Sequence, residues 1–333
     1  LTNTGIVPAL SRALSDLFGG PVHIEAARLL PGGASKEAWA VDAHGPDGPL
    51  RLLVRRAAGG VIYSETLSLY EEYQVLQAAW QAGVRVPRPY GHLPDLEGRE
   101  AFVMERLEGE SIGRRVVTRP ELASARQRLP EQMAEELAKI HAIPHELVSF
   151  LPGAAKAPAA DRVISKLYQE LDALEEPHPA IELGLLWLRE REVRAHGIVV
   201  SHGDFRVGNL MVNEKGLVGV LDWEFAHFSD PVEDLAWPLV RAWRFGKDQL
   251  RLGGVGEIEP YLDRYNAETG RNVGLEELFY WEVVGNVKWA IGALTQARRH
   301  LRGEERSVEL AILGRLAAEV EYEILSLIER GRY

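Results

Sequence analysis

Apolar and polar positions repeat with two different periods along this chain, and the change of period divides it. Residues 6–18 carry apolar side chains at helical spacing and stop at Gly19-Gly20-Pro21, which predicts a short amphipathic helix. Segments of strand length follow at 23–30, 38–42 and 50–55, separated by glycine- and proline-containing turns at 31–37 and 45–49. Leu69, Tyr73, Leu76 and Trp80 then fall on one stripe at about 100° per residue, predicting a helix over 64–82 that Gly83 ends. The X-Pro steps hold 84–90 extended, and 101–105 reads as an inner strand. From residue 111 the pattern is mostly helical. Helices are predicted over 121–142 (Met133, Leu137, Ile140), 161–174, 179–195 and much of the last hundred residues, with a final helix at about 307–330. Gly285, Asn286 and Gly292 share one of these helices, and 152–160 reads as a loose surface loop. Within the helical half, two apolar runs flank Asn213-Glu214-Lys215-Gly216, a β-hairpin signal.

This order predicts an α+β, bilobal fold. A small antiparallel-sheet lobe occupies 1–107, a hinge falls at about 103–109, and a large, mainly helical lobe occupies 108–333. A length of 333 residues with 46% hydrophobic content is enough for two such lobes, each with a core. The absence of cysteine excludes disulfides, thiolate metal sites and a thiol nucleophile, and it fits a reducing cytoplasm. A net charge of −11 argues against nucleic acid or an anionic membrane as partner. No apolar run approaches the 18 or so residues of a membrane span, and the amino terminus shows no basic segment leading into an apolar one, so no signal peptide is expected.

The densest chemistry lies in His202-Gly203-Asp204-Phe205-Arg206-Val207-Gly208-Asn209, followed by Leu221-Asp222-Trp223-Glu224. Asp204 precedes Asn209 by five residues, and Asp222 follows Asn209 by thirteen. That spacing fits a phosphoryl-transfer loop, in which one Asp orients the attacking hydroxyl while an Asn and a later Asp bind Mg²⁺. A hairpin in the gap returns the chain on itself, so Asn209 and Asp222 are expected to face one point. Arg206 is a candidate for neutralising the transferring phosphoryl group, with an ordinary salt bridge as the other use. His202 is expected to brace the loop through a backbone hydrogen bond.

Elsewhere the candidates are single residues. The third strand offers Arg55 and Arg56, and period-2 alternation lets only one face the cleft; Arg55 is favoured. Its expected partner is Glu72, with Glu65 as the alternative and Glu71 turned to solvent. The 31–37 segment lacks the Walker A pattern and reads first as a hairpin turn; Ser35 and nearby N–H groups are its candidates for phosphate contact. Backbone groups near Glu105 and Leu107 are candidates for holding adenine. His141 is read as structural, Asp230 and Asp234 as capping residues with a tie from their helix to the catalytic loop as the alternative, and Trp237, Trp243, Trp281 and Trp289 as core, with cleft walls the alternative.

The loop and the Leu-Asp-Trp-Glu segment, together with Val103-Met-Glu-Arg-Leu-Glu-Gly109, resemble the aminoglycoside phosphotransferase family, a branch of the protein-kinase-like fold. Arg55, Glu72-Tyr73, Arg206-Val-Gly-Asn209 and Asp230-Pro-Val-Glu-Asp-Leu-Ala-Trp237 look more narrowly like the branch related to kinase domains joined to some acyl-CoA dehydrogenases, where related domains phosphorylate hydroxyacyl substrates. The resemblance covers nearly the whole chain. It implies that Asp204 accepts the proton of the substrate hydroxyl and that Asn209 and Asp222 hold Mg²⁺. It also implies that Arg55, in place of a more usual Lys, contacts the α- and β-phosphates and pairs with Glu72, and that Ser35 lies in the phosphate loop. Glu224 stands where protein kinases have Gly, and would add a metal contact or shape the pocket.

The expectation is a cytoplasmic enzyme that uses ATP and Mg²⁺ to move the γ-phosphoryl group to a hydroxyl of a small molecule, of hydroxyacyl type. The alternatives are an aminoglycoside O-phosphotransferase and a non-catalytic nucleotide-binding protein on the same fold. Against the last stands the joint presence of Asp204, Asn209 and Asp222. Nothing in the pattern sets an oligomeric state.

Overall fold

The computed structural model describes residues 5–30, 36–58, 66–153 and 158–333. The chain divides into two compact units. The first comprises Leu1–Gly109, Ile143–Phe150 and Val218–Ala226; the second comprises Glu110–Ala142, Leu151–Leu217 and His227–Tyr333.

The first unit opens with α1 (Val7–Phe18), which Gly19 ends in the left-handed conformation. Then come β1 (His23–Leu29), β2 (Lys36–Gly45), β3 (Gly48–Ala57), α2 (Leu69–Gln81), β4 (Pro89–Leu93) and β5 (Ala101–Glu105). The sheet is antiparallel with order β1-β2-β3-β5-β4, so 101–105 is indeed an inner strand. Alternation gives the sheet two faces of different character. Trp39, Val41, Leu52, Val54, Ala101 and Val103 form one buried face with Leu10 and Leu14 of α1. On the other face Ala38 pairs with Arg55, and Arg55 with Phe102. There Tyr73 of α2 lies 6.0 Å from Phe102, ring centre to ring centre.

Helix α2 starts at Leu69, the first residue of the apolar stripe and later than the predicted span of 64–82. Ser68 closes a capping box with Glu71, each satisfying the other's backbone N–H, and this fixes the first turn at Leu69. Glu71, expected at the solvent, is that box's second member. Glu65 and Ser35 lie outside the described residues.

The second unit contains α3 (Gly113–Thr118), α4 (Ala123–Arg126), α5 (Leu129–Ile140), α6 (Ala159–Asp172), α7 (Pro179–Arg189), β6 (Val199–Ser201) and β7 (Leu210–Asn213). Strand β8 (Gly216–Val220) completes the predicted hairpin with β7. After it come β9 (His227–Ser229), α8 (Pro231–Ala236), α9 (Ile258–Thr269), α10 (Leu275–Leu301) and α11 (Val308–Arg330). Two predicted helices are corrected. The span 121–142 is broken into a 3₁₀ turn, α4 and α5, because Pro130 lacks the N–H that a continuous helix needs and instead sits in the first turn of α5. The span 179–195 stops at Arg189, and Glu190, Arg191 and Glu192 beyond it are exposed, with no apolar face to bury.

The core of the second unit is helix on helix. Met133, Leu137 and Ile140 of α5 and Tyr261 and Tyr265 of α9 are buried where these two helices pack together. Helix α10 packs against α7 and α11, and Gly184 of α7 lies close to Val287 of α10 and Ile324 of α11. Arg244, 2% exposed, sits between Glu282 of α10 (2.8 Å) and Glu323 of α11 (3.1 Å), a buried charge with paired neighbours. Among the described residues no helix is long and apolar enough to cross a membrane.

Candidate active site

Two clusters of functional side chains form, one in each unit. In the first unit β2, β3 and α2 converge on the segment after β8. Lys36 Nζ lies 2.8 Å from Glu72 Oε2 and 2.8 Å from Glu224 Oε2. The other oxygen of Glu72 lies 2.7 Å from an Arg55 guanidinium nitrogen, which is 2.9 Å from Asp222 Oδ1. Charge therefore alternates along Glu224, Lys36, Glu72, Arg55 and Asp222. Burial disfavours the Arg55 cation, but Glu72 and Asp222 outweigh it and raise its pKa. Burial, reinforced by Asp222 alongside, pushes the Glu224 carboxyl up, against the opposing pull of Lys36. Asp222 adopts φ 64°, in the left-handed region that few non-glycine residues enter.

The choice between Arg55 and Arg56 follows from alternation. Arg56 points to the opposite face of the sheet, where its guanidinium donates to Leu96 O at 3.0 Å and meets Glu37 at 3.2 Å. At the end of β5, the N–H of Glu105 donates to Arg88 O (2.9 Å), and that of Arg106 to Arg51 O (2.9 Å). Leu107 approaches Gly219 so closely that a Cβ there would stand 2.5 Å from its Cδ1.

In the second unit the loop after β6 is anchored from below by Asp234 of α8. Its carboxylate accepts the N–H of His202 at 2.6 Å and of Gly203 at 2.9 Å. His141 completes the support, with Nε2 3.3 Å from Asp234 and Nδ1 2.7 Å from the Tyr265 hydroxyl. Burial works against this carboxylate, but its bond to His141 and the nearby imidazoles and N–H groups hold its pKa down. Asp234 thus ties the helix to the loop and is no plain cap. Asp230 is the cap, accepting Val232 N–H at 3.0 Å while also taking His196 N–H at 2.7 Å. His202 braces the loop as expected: its Nδ1 accepts the N–H of Asp204 at 3.2 Å.

Above this base Asp204 is held on several sides. Trp237 Nε1–H donates to Oδ1 at 2.7 Å, Asn209 Nδ2–H to Oδ2 at 2.6 Å, and Arg206 Nε–H lies 3.0 Å from Oδ1. The Arg206 guanidinium also stacks 4.3 Å above the Trp243 ring. Gly208 makes room for it, since a Cβ there would stand 2.0 Å from an Arg206 nitrogen. Trp243 packs 5.8 Å from Trp237 and 6.1 Å from Trp289. Lys288 lies 5.2 Å from the Trp237 ring centre and pairs with Glu233 at 2.9 Å. Burial disfavours the Lys288 cation, yet Glu233, Asp234 and Asp204 keep it charged by raising its pKa. Trp281 is core, whereas Trp243 and Trp289 keep partial exposure.

Two participants escape the sequence reading, and a third, Asp234, enters it only as an alternative. Lys36 was placed in a turn because the strand was read as starting at 38; the clue was that it shares the parity of Ala38, which pairs with Arg55. The indole of Trp237 gave no sequence signal for its bond to Asp204. Asp234 was readable only in outline, as the second of two acids four residues apart where one cap suffices.

Each unit offers an oxygen donor of the type a hard divalent cation takes. The amide nitrogen of Asn209 is committed to Asp204, which leaves its Oδ1 as a neutral oxygen donor, and Asp222 supplies a carboxylate. Among the described residues no group of three or more His, Cys, Asp or Glu is arranged as a metal cluster. A Mg²⁺ that keeps most of its coordination for water and phosphate needs none.

A family model described as the phosphotransferase enzyme family matches residues 26–275. The chain belongs to that family. Its relatives include acyl-CoA dehydrogenase family member 10 of Mus musculus, 25% identical over 286 residues, which are 80% of this chain and 26% of that protein. Acyl-CoA dehydrogenase family member 11 of Homo sapiens is 24% identical over 294 residues, 84% of this chain and 37% of that protein. This phosphotransferase family member therefore spans well under half the length of these relatives. A solved protein of Ralstonia eutropha JMP134, provisionally assigned as an aminoglycoside phosphotransferase, superposes with a TM-score of 0.75 at 18% identity, covering 97% of this chain and 98% of that one. The aminoglycoside phosphotransferase APH(4)-Ia, in ternary complex with ADP and hygromycin B, gives a TM-score of 0.63 at 14% identity, covering 96% and 98%. At these identities the likeness establishes the fold: an antiparallel-sheet unit and a mainly helical unit of the protein-kinase-like kind.

Proposed function

We propose that this chain is a cytoplasmic, ATP-dependent phosphotransferase that moves the γ-phosphoryl group to a hydroxyl of a small molecule of hydroxyacyl type. The observation that carries the reading is the carboxylate of Asp204, fixed in one orientation by Trp237, Asn209 and Arg206. A general base works by standing in one place beside the proton it takes, and three donors leave this group little freedom. Residues 1–107 are assigned to nucleotide binding, with the hinge at about 103–109, and 108–333 to catalysis and the acceptor.

In this mechanism Asp204 accepts the proton of the acceptor hydroxyl. The acceptor oxygen bonds to the γ-phosphorus as that phosphorus parts from the β,γ-bridging oxygen, and ADP leaves. Arg206 offsets charge on the transferring group, and Arg55, anchored by Glu72, holds the α- and β-phosphates. Ser35 is assigned to the phosphate loop, and the backbone at Glu105 and Leu107 to adenine. Asn209 and Asp222 would hold Mg²⁺, which when bound supplies neutralisation of phosphate charge.

The surroundings of Asp204 favour a hydroxyacyl acceptor over an aminoglycoside. A polycation needs carboxylates, whereas Asp204 stands among Arg206, Lys288 and the Trp237, Trp243 and Trp289 rings. Glu233 is already engaged by Lys288 and Ser229. Apolar walls with cations suit an acyl chain that ends in a negative group. Relatives named as acyl-CoA dehydrogenase family members agree with that choice.

The test is Mg²⁺-dependent ADP release with hydroxyacyl compounds, aminoglycosides and small polyols, using Asp204→Asn as control. Turnover with hydroxyacyl compounds that the variant loses supports the proposal. Turnover with aminoglycosides alone replaces the acceptor. Tight nucleotide binding with no turnover on any acceptor points to the non-catalytic alternative.

A further inference from the structure

The first unit holds two cations on one sheet face, and only Arg55 has been given a role. Lys36 is 7% exposed and bonded at 2.8 Å to both Glu72 and Glu224. Strand register explains how it gets there. Lys36 pairs with Ala57 and Ala38 with Arg55, so Lys36 and Arg55 are diagonal neighbours on the same face of β2 and β3. Ala38 lies between Lys36 and Ala40 on that face of β2.

The charges around Arg55 leave work for a second cation. Arg55 faces two carboxylates, Glu72 and Asp222, and its charge is fully matched by them. The five side chains together carry three negative charges against two positive. A nucleotide triphosphate adds several more, and side-chain cations turned toward it offset that charge together with Mg²⁺. Glu72 is buried and serves both cations, one on each oxygen. It can therefore keep both ammonium and guanidinium in place while each offers its remaining N–H groups outward.

We propose that Lys36 is a second phosphate-binding cation of this site, so that a nucleotide polyphosphate is gripped by a Lys36–Arg55 pair anchored on Glu72. The inference rests on the reading of the first unit as an ATP site. Lys36 supplies a compact point charge and Arg55 a planar fork, and the two contacts are not interchangeable. Glu224 and Asp222 are the outer carboxylates that the two cations exchange for phosphate oxygens.

The experiment measures ATP, ADP and adenosine binding to the full chain with Mg²⁺ by calorimetry, and the adenosine complex by ligand-observed NMR. Melting temperatures are recorded in parallel. Lys36→Met should weaken ATP and ADP at least about tenfold, the worth of a charged hydrogen bond, while adenosine stays within about twofold. Lys36→Gln keeps the length and a hydrogen bond to Glu72, so it serves where the Met variant does not fold, with the same expectation. If Lys36 only props Glu72, Lys36→Gln, which keeps that hydrogen bond, holds ATP and ADP affinity within about twofold of the wild type; that result, or an unchanged ratio of ATP to adenosine affinity, overturns the assignment. A wild-type protein that binds neither ATP nor ADP overturns the ATP reading itself.

Discussion

The two clusters hold their carboxylates by different means. In the first unit Glu72, Asp222 and Glu224 are held by cations, in an alternating chain through Lys36 and Arg55. In the second, neutral N–H groups do most of the holding of Asp204 and Asp234 (the Trp237 indole, the Asn209 amide, and the backbone of His202 and Gly203), with Arg206 the one cation bonded to Asp204. Ion pairs can be exchanged. A phosphate oxygen replaces a carboxylate against a guanidinium at little net change, so the first arrangement suits a group that must receive an anion. Neutral donors fix a carboxylate without cancelling its charge, which suits a group that must stay basic and in place. The difference separates a binding device from a positioning device.

The comparison breaks first at Asp204. Asp204→Asn should lower turnover by about 10²–10⁴-fold and leave ATP affinity within about threefold, measured by steady-state ADP release and calorimetry. Equal losses in both would place Asp204 among the binding groups. Next, Asp234→Asn should cost about 3–5 kcal/mol, because the amide offers N–H groups to N–H donors already present; urea unfolding measures it. The pH dependence carries a sign. The Asp234 carboxyl is held below its ordinary value despite its burial, chiefly by its bond to His141. Its contribution is therefore complete above about pH 4, the unfolded carboxyl value, and is lost as pH falls through the lowered folded value. The acid limb of the wild-type stability curve between pH 7 and 3 should be steeper than that of the variant.

A finer test is Trp237→Phe, which keeps the ring and deletes the donor to Asp204. It should reduce kcat about tenfold, the scale of a hydrogen bond to a charged group, with KM for ATP unchanged. A rise in KM instead would make the indole part of a binding surface. Smallest is Ser68→Ala, which removes the cap of α2 and should cost about 1 kcal/mol by thermal unfolding. Since Glu72 sits in the first turn of that helix, ATP affinity should weaken by no more than about threefold if the two cations suffice to hold it.

Much of the second cluster was legible because its members are close in sequence. Asp204, Arg206 and Asn209 lie within six residues, and local spacing carries their geometry. The inner position of β5 and the hairpin of β7 and β8 were legible for the same reason, since period and turn residues encode them. The rest depended on contacts between distant segments. Lys36 meets Glu224 across 188 residues, and Asp204 meets Trp237 across 33. Charged residues at a strand's start do not show where pairing begins, so the expected start of β2 falls two residues late. Pro130 was read through because the apolar period persisted on both sides of it. Asp230 and Asp234 look alike in sequence, and only the path of the chain gives one to His196 and the other to the loop.

The φ of 64° at Asp222 narrows the evolutionary options at that position. Its backbone admits Gly, Asn and Asp with little strain and penalises almost every other residue. Asp alone among those three brings a negative charge. A drift to Glu would keep the carboxylate but strain the turn, and a drift to Asn would keep the turn but leave Arg55 with one fewer counter-charge. The position has almost no neutral neighbours in sequence space. Variants recovered there under selection should therefore arise in pairs, with a second change relaxing either the turn after β8 or the charge on β3.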